Sequence, residues 1–191
     1  ESIRAELDGR LSGLLAPLVP RAAASLDFKI DGYFDRIFSV NVLEHCQPLD
    51  LTLDRLAAVL APGGIMVHTC PNYLVPYEPH FQIPLVPFLP KFTTRFKPSL
   101  KSDPVWRSLN FITSQDFKRA AKRNGLNLKF ESGVFSQVVK RLKADPSFAR
   151  RQGFAGRATA TLSRLDVFGA LDRVPGSWLT PMIAILSKPR E

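Results

Sequence analysis

Two of the three histidines in this chain closely follow an acidic residue. His45 comes directly after Glu44, and His80 comes two positions after Glu78. Histidine titrates near neutral pH, so it is the natural side chain for removing a proton from an oxygen or nitrogen. His45 and His80 are therefore the candidate catalytic residues. His68 lies within an apolar run and is predicted to be a hydrogen-bonded core residue.

The same residue types predict neither a metal site nor a disulfide framework. Glu44 and His45 are neighbours on one turn, and adjacent residues rarely bind one ion without further ligands, so no metal is expected. Cys46 and Cys70 form no Cys-x-x-Cys pair and have no histidine-rich partner segment. Reduced thiols in a cytoplasmic protein are the expected state.

Two predicted strands position these residues. Residues 33–40 and 65–70 are short apolar runs without a helical period, which predicts buried strands. Between them, residues 49–60 place leucines on one helical face, and Gly63–Gly64 predicts a turn after that helix. Strand, helix and strand make a βαβ unit, and the carboxyl ends of parallel strands line one crevice. We therefore expect residues 41–45 and 70–73 to meet there.

The whole chain, residues 1–191, predicts a single partial domain with an insert at residues 73–108. The insert is rich in proline and phenylalanine and has no period, which favours an ordered lid over disorder. Further helices are predicted at 2–15, 113–124, 136–151 and 156–171, and strands at 127–130 and 178–187. The apolar lid residues predict either an acceptor pocket or packing against the sheet. They are Phe81, Ile83, Leu85, Val86, Phe88, Leu89, Phe92 and Phe96.

The chain is basic, with a formal net charge of +9 and a pI near 9.9. Such a balance mainly affects solubility and association rates. No RNA-binding signature accompanies the basic residues, so a nucleic-acid partner is not expected. Peripheral contact between the basic segment at 136–171 and an anionic membrane is an open alternative, although no run is long enough to span a bilayer. The oligomeric state is not predicted.

The segment FDRIFSVNVLEH, followed by LDRLAAVLAPGGIMVHTCPN, resembles the central block of class I S-adenosylmethionine-dependent methyltransferases. The order and spacing of the Phe-Asp strand, the Leu-Glu-His exit, the Pro-Gly-Gly turn and the Pro-Asn strand end carry the resemblance. It implies an α/β fold with an incomplete doubly wound, Rossmann-like and mostly parallel sheet. This sheet would lack its first two strands, and a Pro/aromatic lid and C-terminal helices would accompany it. The resemblance also implies S-adenosylmethionine as cofactor and a small-molecule acceptor, apolar or aromatic in character.

The resemblance assigns roles to single residues as well. Positions expected to bind the cofactor lie before the first strand and at its exit: Glu1, Ser25, Leu26, Asp27, Asn41, Val42 and His45. Positions expected to bind the acceptor follow the second strand: Asn72, Tyr73, Tyr77 and Glu78. Plain structural roles compete with several of these. Asp27 also suits a turn, Glu1 a frayed terminus, and Glu44–His45 a cap of the following segment.

The family's glycine-rich Asp-x-Gly-x-Gly-x-Gly turn has no counterpart in this sequence. The expected first strand, first helix and most of the second strand would therefore lie upstream of residue 1, which leaves strand 33–40 at an open sheet edge. Three hypotheses follow: part of a methyltransferase that needs its amino-terminal segment, a non-catalytic truncated methyltransferase-like module, or a basic nucleic-acid-binding protein.

Overall fold

The structure is a computed structural model that describes residue 29, residues 33–133, positions 137, 140, 141 and 144–147, and residues 173–190. The helices predicted at 2–15 and 156–171 lie outside the described residues, as does most of the one predicted at 136–151. None of the described helices is long and apolar enough to cross a membrane.

A four-stranded sheet organises the described residues. Its strands are β1 (Phe34–Val40), β2 (Leu60–Cys70), β5 (Asn127–Phe130) and β6 (Met182–Ser187), and the short strands β3 (Tyr77–Glu78) and β4 (Ile83–Pro84) form a separate hairpin. The order is β1-β2-β6-β5. β1 and β2 are parallel, whereas β6 runs antiparallel to both β2 and β5. Three of the four strands thus share one direction, which confirms the predicted mostly parallel α/β sheet.

β2 and β6 form the centre of this sheet. Along both strands buried residues alternate with half-buried ones, which is the period of a strand covered on two faces. Val67 lies opposite Phe38 on one side and Ile185 on the other. The central register is therefore fixed by apolar side chains from three strands.

The predicted helix between the first two strands is α1, which spans Leu49–Val59. Its buried residues include Leu53, Leu56 and Ala57, as the helical spacing predicts, but Leu51 is exposed and Thr52 is buried instead.

The sequence predicts a turn at Gly63–Gly64, but in the structure β2 begins at Leu60 and runs through both glycines. Pairing with β1 is irregular at this point. Gly63 has φ of 74°, and its N–H donates to the carbonyl of Lys188 at 3.1 Å. The glycines thus join β2 to the segment after β6, at the end of the sheet away from the strand exits.

Two further helices lie after the lid. α2 spans Pro104–Ser108 and contacts the turn that follows β1. α3 spans Ser114–Arg123, begins with the predicted cap residues Thr113 and Asp116, and contacts β5, β6 and α1. Gly125 follows with φ of 62°, the left-handed conformation that commonly ends a helix. The predicted helix and the strand after it are confirmed.

The lid, residues 73–108, is ordered by the β3–β4 hairpin and by 3₁₀ helices at Pro90–Arg95 and Pro98–Ser102. Leu85 and Leu100 are buried in the core. The outer side exposes four apolar side chains, Phe88, Leu89, Phe92 and Phe96. Packing on the core therefore accounts for the inner lid residues and leaves the outer ones unexplained.

β1 lies at an edge of the described sheet. Among the described strands β2 is its one partner. Phe38 is 81% exposed and Val40 is 63% exposed, although their types suit a buried strand. The prediction that this edge is open stays a prediction, because residues 1–28 and 30–32 lie outside the described part of the chain.

Candidate functional site

β1 and β2 end side by side, as the sequence predicts for a parallel pair. The backbone N–H of Asn41 donates to the carbonyl of Thr69 at 2.8 Å. Asn41 has φ of 52°, so the chain turns sharply as it leaves β1. Val42 follows with an exposed side chain. The two strand exits therefore open at one edge of one sheet.

A 3₁₀ turn at Leu43–His45 follows this exit. Leu43 is buried in the core and anchors the turn there. The side-chain amide of Asn110 donates to the carbonyls of Leu43 at 2.6 Å and Cys46 at 2.8 Å, and its backbone N–H donates to the carbonyl of Glu44 at 2.9 Å. Three carbonyl groups of the turn are thus held by one residue, which fixes the positions of Glu44 and His45.

His45 is oriented by α2. Its Nδ1 lies 2.7 Å from the hydroxyl of Ser108, and that hydroxyl donates to the carbonyl of Val105 at 2.7 Å. Because the serine hydroxyl has one proton, Nδ1 of His45 is the donor and Nε2 carries the lone pair. Burial lowers the pKa of His45, and the nearby His80 lowers it further, so the ring is neutral at neutral pH.

His80 is oriented by the buried Glu78 in the lid. The carboxylate of Glu78 accepts hydrogen bonds from His80 Nδ1 at 2.6 Å, from the hydroxyl of Tyr73 at 3.1 Å and from the N–H of Phe81 at 2.8 Å. Burial raises the pKa of Tyr73, and Glu78 raises it further, so the phenol remains a donor. The side chain of His80 is 30% exposed, which leaves its ring accessible from solvent.

The lid and the strand exit converge at these two histidines. The ring centroids of His45 and His80 are 5.1 Å apart in an edge-to-face arrangement. Glu44 lies beside them with 0% exposure, and neither of its carboxylate oxygens has a hydrogen-bond partner among the described residues. One ligand atom from each of Glu44, His45 and His80 lies within 4.8 Å of the other two. Burial raises the pKa of Glu44.

Asn72 was predicted to bind the acceptor, and the structure places it inside the fold. Its side-chain amide donates to the carbonyl of Ser177 at 2.8 Å, and its side-chain oxygen accepts from the N–H groups of Leu74 and Ser114, each at 3.3 Å. The side chain is fully buried. Asn72 therefore joins the end of β2 to the start of α3, and its predicted contact with acceptor stays a prediction.

Tyr77 is half-buried in the hairpin and pairs with Pro84. Burial raises its pKa. The predicted cofactor positions Glu1, Ser25, Leu26 and Asp27 lie outside the described residues. The predicted residues that the structure brings together are thus Tyr73, Glu78, His80 and His45, next to Asn41 and Val42.

His68 is a core residue, as its sequence position predicts. It is fully buried, its Nδ1 lies 2.8 Å from the hydroxyl of Ser39, and its ring stacks on Phe117 with centroids 6.0 Å apart. Burial lowers its pKa to about 4. The thiols of Cys46 and Cys70 are free, and burial raises the pKa of both, so neither is a reactive thiolate near neutral pH.

Sequence reasoning missed two members of the site, Ser108 and Asn110, and the approach of His80 to Glu44. Glu44 and His45 are adjacent in the sequence, but His80, which lies beside them in the structure, is distant in sequence. Ser108 and Asn110 carry no motif and have their roles through contacts with residues more than 60 positions away. No local sequence pattern identifies the contacts of His80, Ser108 or Asn110.

Comparison with known proteins places this geometry in a family. Residues 12–129 match the family described as a methyltransferase domain. The uncharacterized protein Rv1509 of Mycobacterium tuberculosis is 40% identical over 169 residues, covering 83% of this chain and 57% of the relative. The ubiquinone biosynthesis O-methyltransferase of Nitrobacter winogradskyi is 32% identical over 108 residues, covering 56% of this chain and 38% of the relative. The chain thus matches little more than half the length of Rv1509 and well under half the length of the O-methyltransferase.

Two solved structures share the fold at low sequence identity. The cyclase SpnF has a TM-score of 0.52 at 20% identity and covers 100% of this chain and 63% of its own. The cyclopropane synthase MmaA2 from Mycobacterium tuberculosis has a TM-score of 0.50 at 12% identity, with coverage of 98% and 66%. Because the family match extends over more than half of the sequence and the sheet agrees with it, this chain belongs to the methyltransferase-domain family.

Proposed function

We propose that this chain transfers the methyl group of S-adenosylmethionine to a small-molecule acceptor bound beside His45 and His80. Membership of the family supports the reaction and the donor. The observation that carries the proposal is the hydrogen bond of 2.6 Å between His80 Nδ1 and Glu78, at the edge of the sheet where the strands exit. It orients a base at the place where this fold binds its ligands.

Methyl transfer from a sulfonium is an in-line displacement in which the donor is already activated. Nδ1 of His80 donates to Glu78, so Nε2 is free to take the proton of an acceptor hydroxyl. The O–H bond breaks and the O–CH₃ bond forms as the S–CH₃ bond breaks, and S-adenosylhomocysteine leaves. The Glu78 carboxylate then stabilises the positive charge on the ring, as the carboxylate of a Ser-His-Asp triad does.

Aromatic side chains around the base support an aromatic acceptor. Tyr73 packs edge-to-face on Phe111 at 5.2 Å, Phe111 on Trp106 at 5.4 Å, and Trp106 on Phe81 at 6.0 Å between ring centroids. Tyr73 and Trp106 are buried in the core and Phe81 and Phe111 pack against it, so of these four rings only the partly buried Phe81 and Phe111 are available to contact a planar ligand. A hydroxyaromatic acceptor suits both the base and its surroundings.

The cofactor would lie on the other side of the histidines. Asn41 and Val42, exposed at the exit of β1, are the described residues we assign to it, together with His45. Glu1, Ser25, Leu26 and Asp27 keep the roles that the family resemblance implies. Residues 73–108 serve as the lid, because they supply Glu78 and His80 to a site otherwise built on the strand exits.

The outer side of the lid supports peripheral contact with an anionic membrane. Phe88 is 89% exposed, Phe96 is also exposed, and the exposed cations Lys91, Arg95 and Lys97 lie between and beside them. Exposed apolar side chains interspersed with cations are typical of protein surfaces that bind at a membrane interface. Flotation with phosphatidylglycerol vesicles tests this, and Phe88→Ser should weaken the binding. Equal binding to neutral vesicles would argue against an electrostatic contribution.

The main test measures cofactor binding and turnover separately. S-adenosylhomocysteine is titrated calorimetrically into the protein, and methylation of nitrocatechol by S-adenosylmethionine is followed by mass spectrometry. His80→Gln should reduce kcat by about 100-fold, the usual effect of losing a general base. The control is Asp54→Asn on α1, which weakens an ion pair with Arg123 on α3 and should leave kcat unchanged. Binding of S-adenosylhomocysteine would contradict the non-catalytic module. Absence of any binding would refute the proposal for this chain alone and leave either that module or a methyltransferase that needs its amino-terminal segment.

A further inference from the structure

One oxygen of the buried Glu78 carboxylate accepts hydrogen bonds from two side chains. Oε1 accepts from His80 Nδ1 at 2.6 Å and from the hydroxyl of Tyr73 at 3.1 Å. Oε2 accepts from the N–H of Phe81 at 2.8 Å. Glu78 has 0% exposure, so solvent water does not replace any of these donors. The Tyr73 hydroxyl and the His80 ring therefore share the negative charge of one oxygen.

Tyr73 is held in place without its hydroxyl. Its backbone N–H donates to the carbonyl of Ile112 at 3.0 Å, and its ring packs edge-to-face on Phe111 with centroids 5.2 Å apart. Because burial raises the pKa of Tyr73 and Glu78 raises it further, the phenol keeps its proton and donates it to Glu78. Removing the hydroxyl thus removes one hydrogen bond and leaves the ring where it is.

A hydrogen bond to a carboxylate stabilises its negative charge and weakens its attraction for another proton or cation. A carboxylate with fewer donors stabilises a neighbouring imidazolium more strongly. Glu78 favours the protonated form of His80, and the Tyr73 hydroxyl moderates that effect. This balance matters for a general base, which must be unprotonated before the transfer and still able to take a proton during it.

We propose that Tyr73 is a positioning residue that sets the basicity of His80 through the shared oxygen of Glu78. The inference rests on the proposed function, because it concerns the same base. His80 Nε2 takes the proton of the acceptor hydroxyl, and Glu78 stabilises the imidazolium that forms. Tyr73 limits this stabilisation, so the ring releases its proton to water once the methylated product and S-adenosylhomocysteine have left.

Other titratable groups lie beside this pair in the described part of the chain. They are Glu44 and His45 in the turn after β1, and Tyr77 in β3. Burial raises the pKa of Tyr77, and Glu78 raises it further. Tyr73→Phe leaves all of these groups in place. A change in the titration of His80 in that variant is therefore expected to arise from the lost hydroxyl.

Proton NMR titration of the histidine rings in the whole protein measures this effect without requiring turnover. The His80 resonance is identified by its loss in His80→Gln, and His68 does not interfere, because burial lowers its pKa to about 4. The His80 midpoint should lie about 0.5–1 pH unit higher in Tyr73→Phe than in the wild type, because a charged carboxylate has lost one hydrogen bond. The acidic limb of kcat for nitrocatechol should move in the same direction, which lowers kcat by about 3–10-fold on that limb and not at high pH.

Tyr33→Phe is the matched control. It removes a phenol hydroxyl immediately before β1, at the opposite end of that strand from Asn41, and should leave the His80 midpoint and kcat unchanged. Thermal unfolding checks that each variant is folded. 3-Fluorotyrosine at position 73 gives a second measurement with almost no change in shape. Its phenol is a stronger donor, so the His80 midpoint should move to lower pH.

Two results would overturn the inference. One is an unchanged His80 midpoint in Tyr73→Phe or with 3-fluorotyrosine. The other is an equal loss of kcat at every pH, which is expected if Tyr73 only contacts the acceptor or supports the fold. The two proposals also fail separately. Methylation with an unchanged midpoint would leave the transfer standing and refute the role of Tyr73, whereas a moved midpoint without any methylation would leave the link from Tyr73 to His80 standing and refute the transfer.

Discussion

Acid is expected to weaken the fold through His68, the buried histidine of β2. Burial is the cause that lowers its pKa from 6.5 to about 4. The unfolded chain binds a proton near pH 6.5, whereas the folded chain does not until about pH 4. The contribution of His68 to stability is therefore fully present above pH 6.5 and is lost as the pH falls toward 4. At 1.36 kcal/mol for each pH unit between the two pKa values, the full loss is about 3 kcal/mol, and about 2 kcal/mol is lost by pH 5.

The assay is urea unfolding of the wild type and of His68→Gln between pH 4 and pH 8. The informative quantity is the difference in slope against pH, because the substitution also changes the packing on Phe117. His45 and Glu44 titrate in both proteins, so their contributions cancel in that difference. The free energy of unfolding of His68→Gln should vary less with pH, by about 2 kcal/mol between pH 7.5 and pH 5. Parallel curves for the two proteins would refute the reasoning, since they would mean that His68 is hydrated in solution.

Further predictions concern two glycines, a helix cap and the lid, each measured by urea unfolding at pH 7.5. Gly176→Ala should lower the free energy of unfolding by more than about 3 kcal/mol, because a Cβ there would lie 2.1 Å from the carbonyl oxygen of Glu131. Gly125→Ala should cost only about 1 kcal/mol, since its positive φ is strained for alanine but the space around it is open; equal losses at the two sites would contradict the steric argument. Asp116→Ala should cost about 1 kcal/mol, because its carboxylate accepts the N–H of the N-cap residue at 2.7 Å, and no loss would mean that the cap is not formed. Phe88→Ser should change stability by less than about 0.5 kcal/mol, because the side chain is 89% exposed, and a larger loss would show that it is covered in solution.

The sequence was sufficient to predict the elements whose signals are local. The apolar runs of β1 and β2, the leucine spacing of α1 and the cap residues of α3 each act within a few residues, and all four elements are present. The path of the chain around Gly63 was not predictable in this way. It depends on pairing with Lys188, more than a hundred residues later in the sequence.

The candidate site was predictable in its location but not in its composition. Parallel strands bring their exits to one edge, so the position of His45 follows from the βαβ pattern. The approach of His80 depends on the fold of the lid, which has no periodic signal, and Ser108 reaches His45 through a five-residue helix. The contacts that bring His45, His80 and Ser108 together are tertiary, and tertiary contacts produce no local sequence pattern.

The antiparallel strand β6 has a consequence for the order in which the sheet assembles. β5 pairs with β6 alone among the described strands, and β6 joins it to β2. During translation the helix α3 and the segment of β5 leave the ribosome long before residues 182–187 do, and β5 has no place in the sheet until those residues arrive. A nascent chain arrested before residue 182 should consequently expose amide groups of β2 and β5 to hydrogen exchange, and release of the finished chain should protect both strands together.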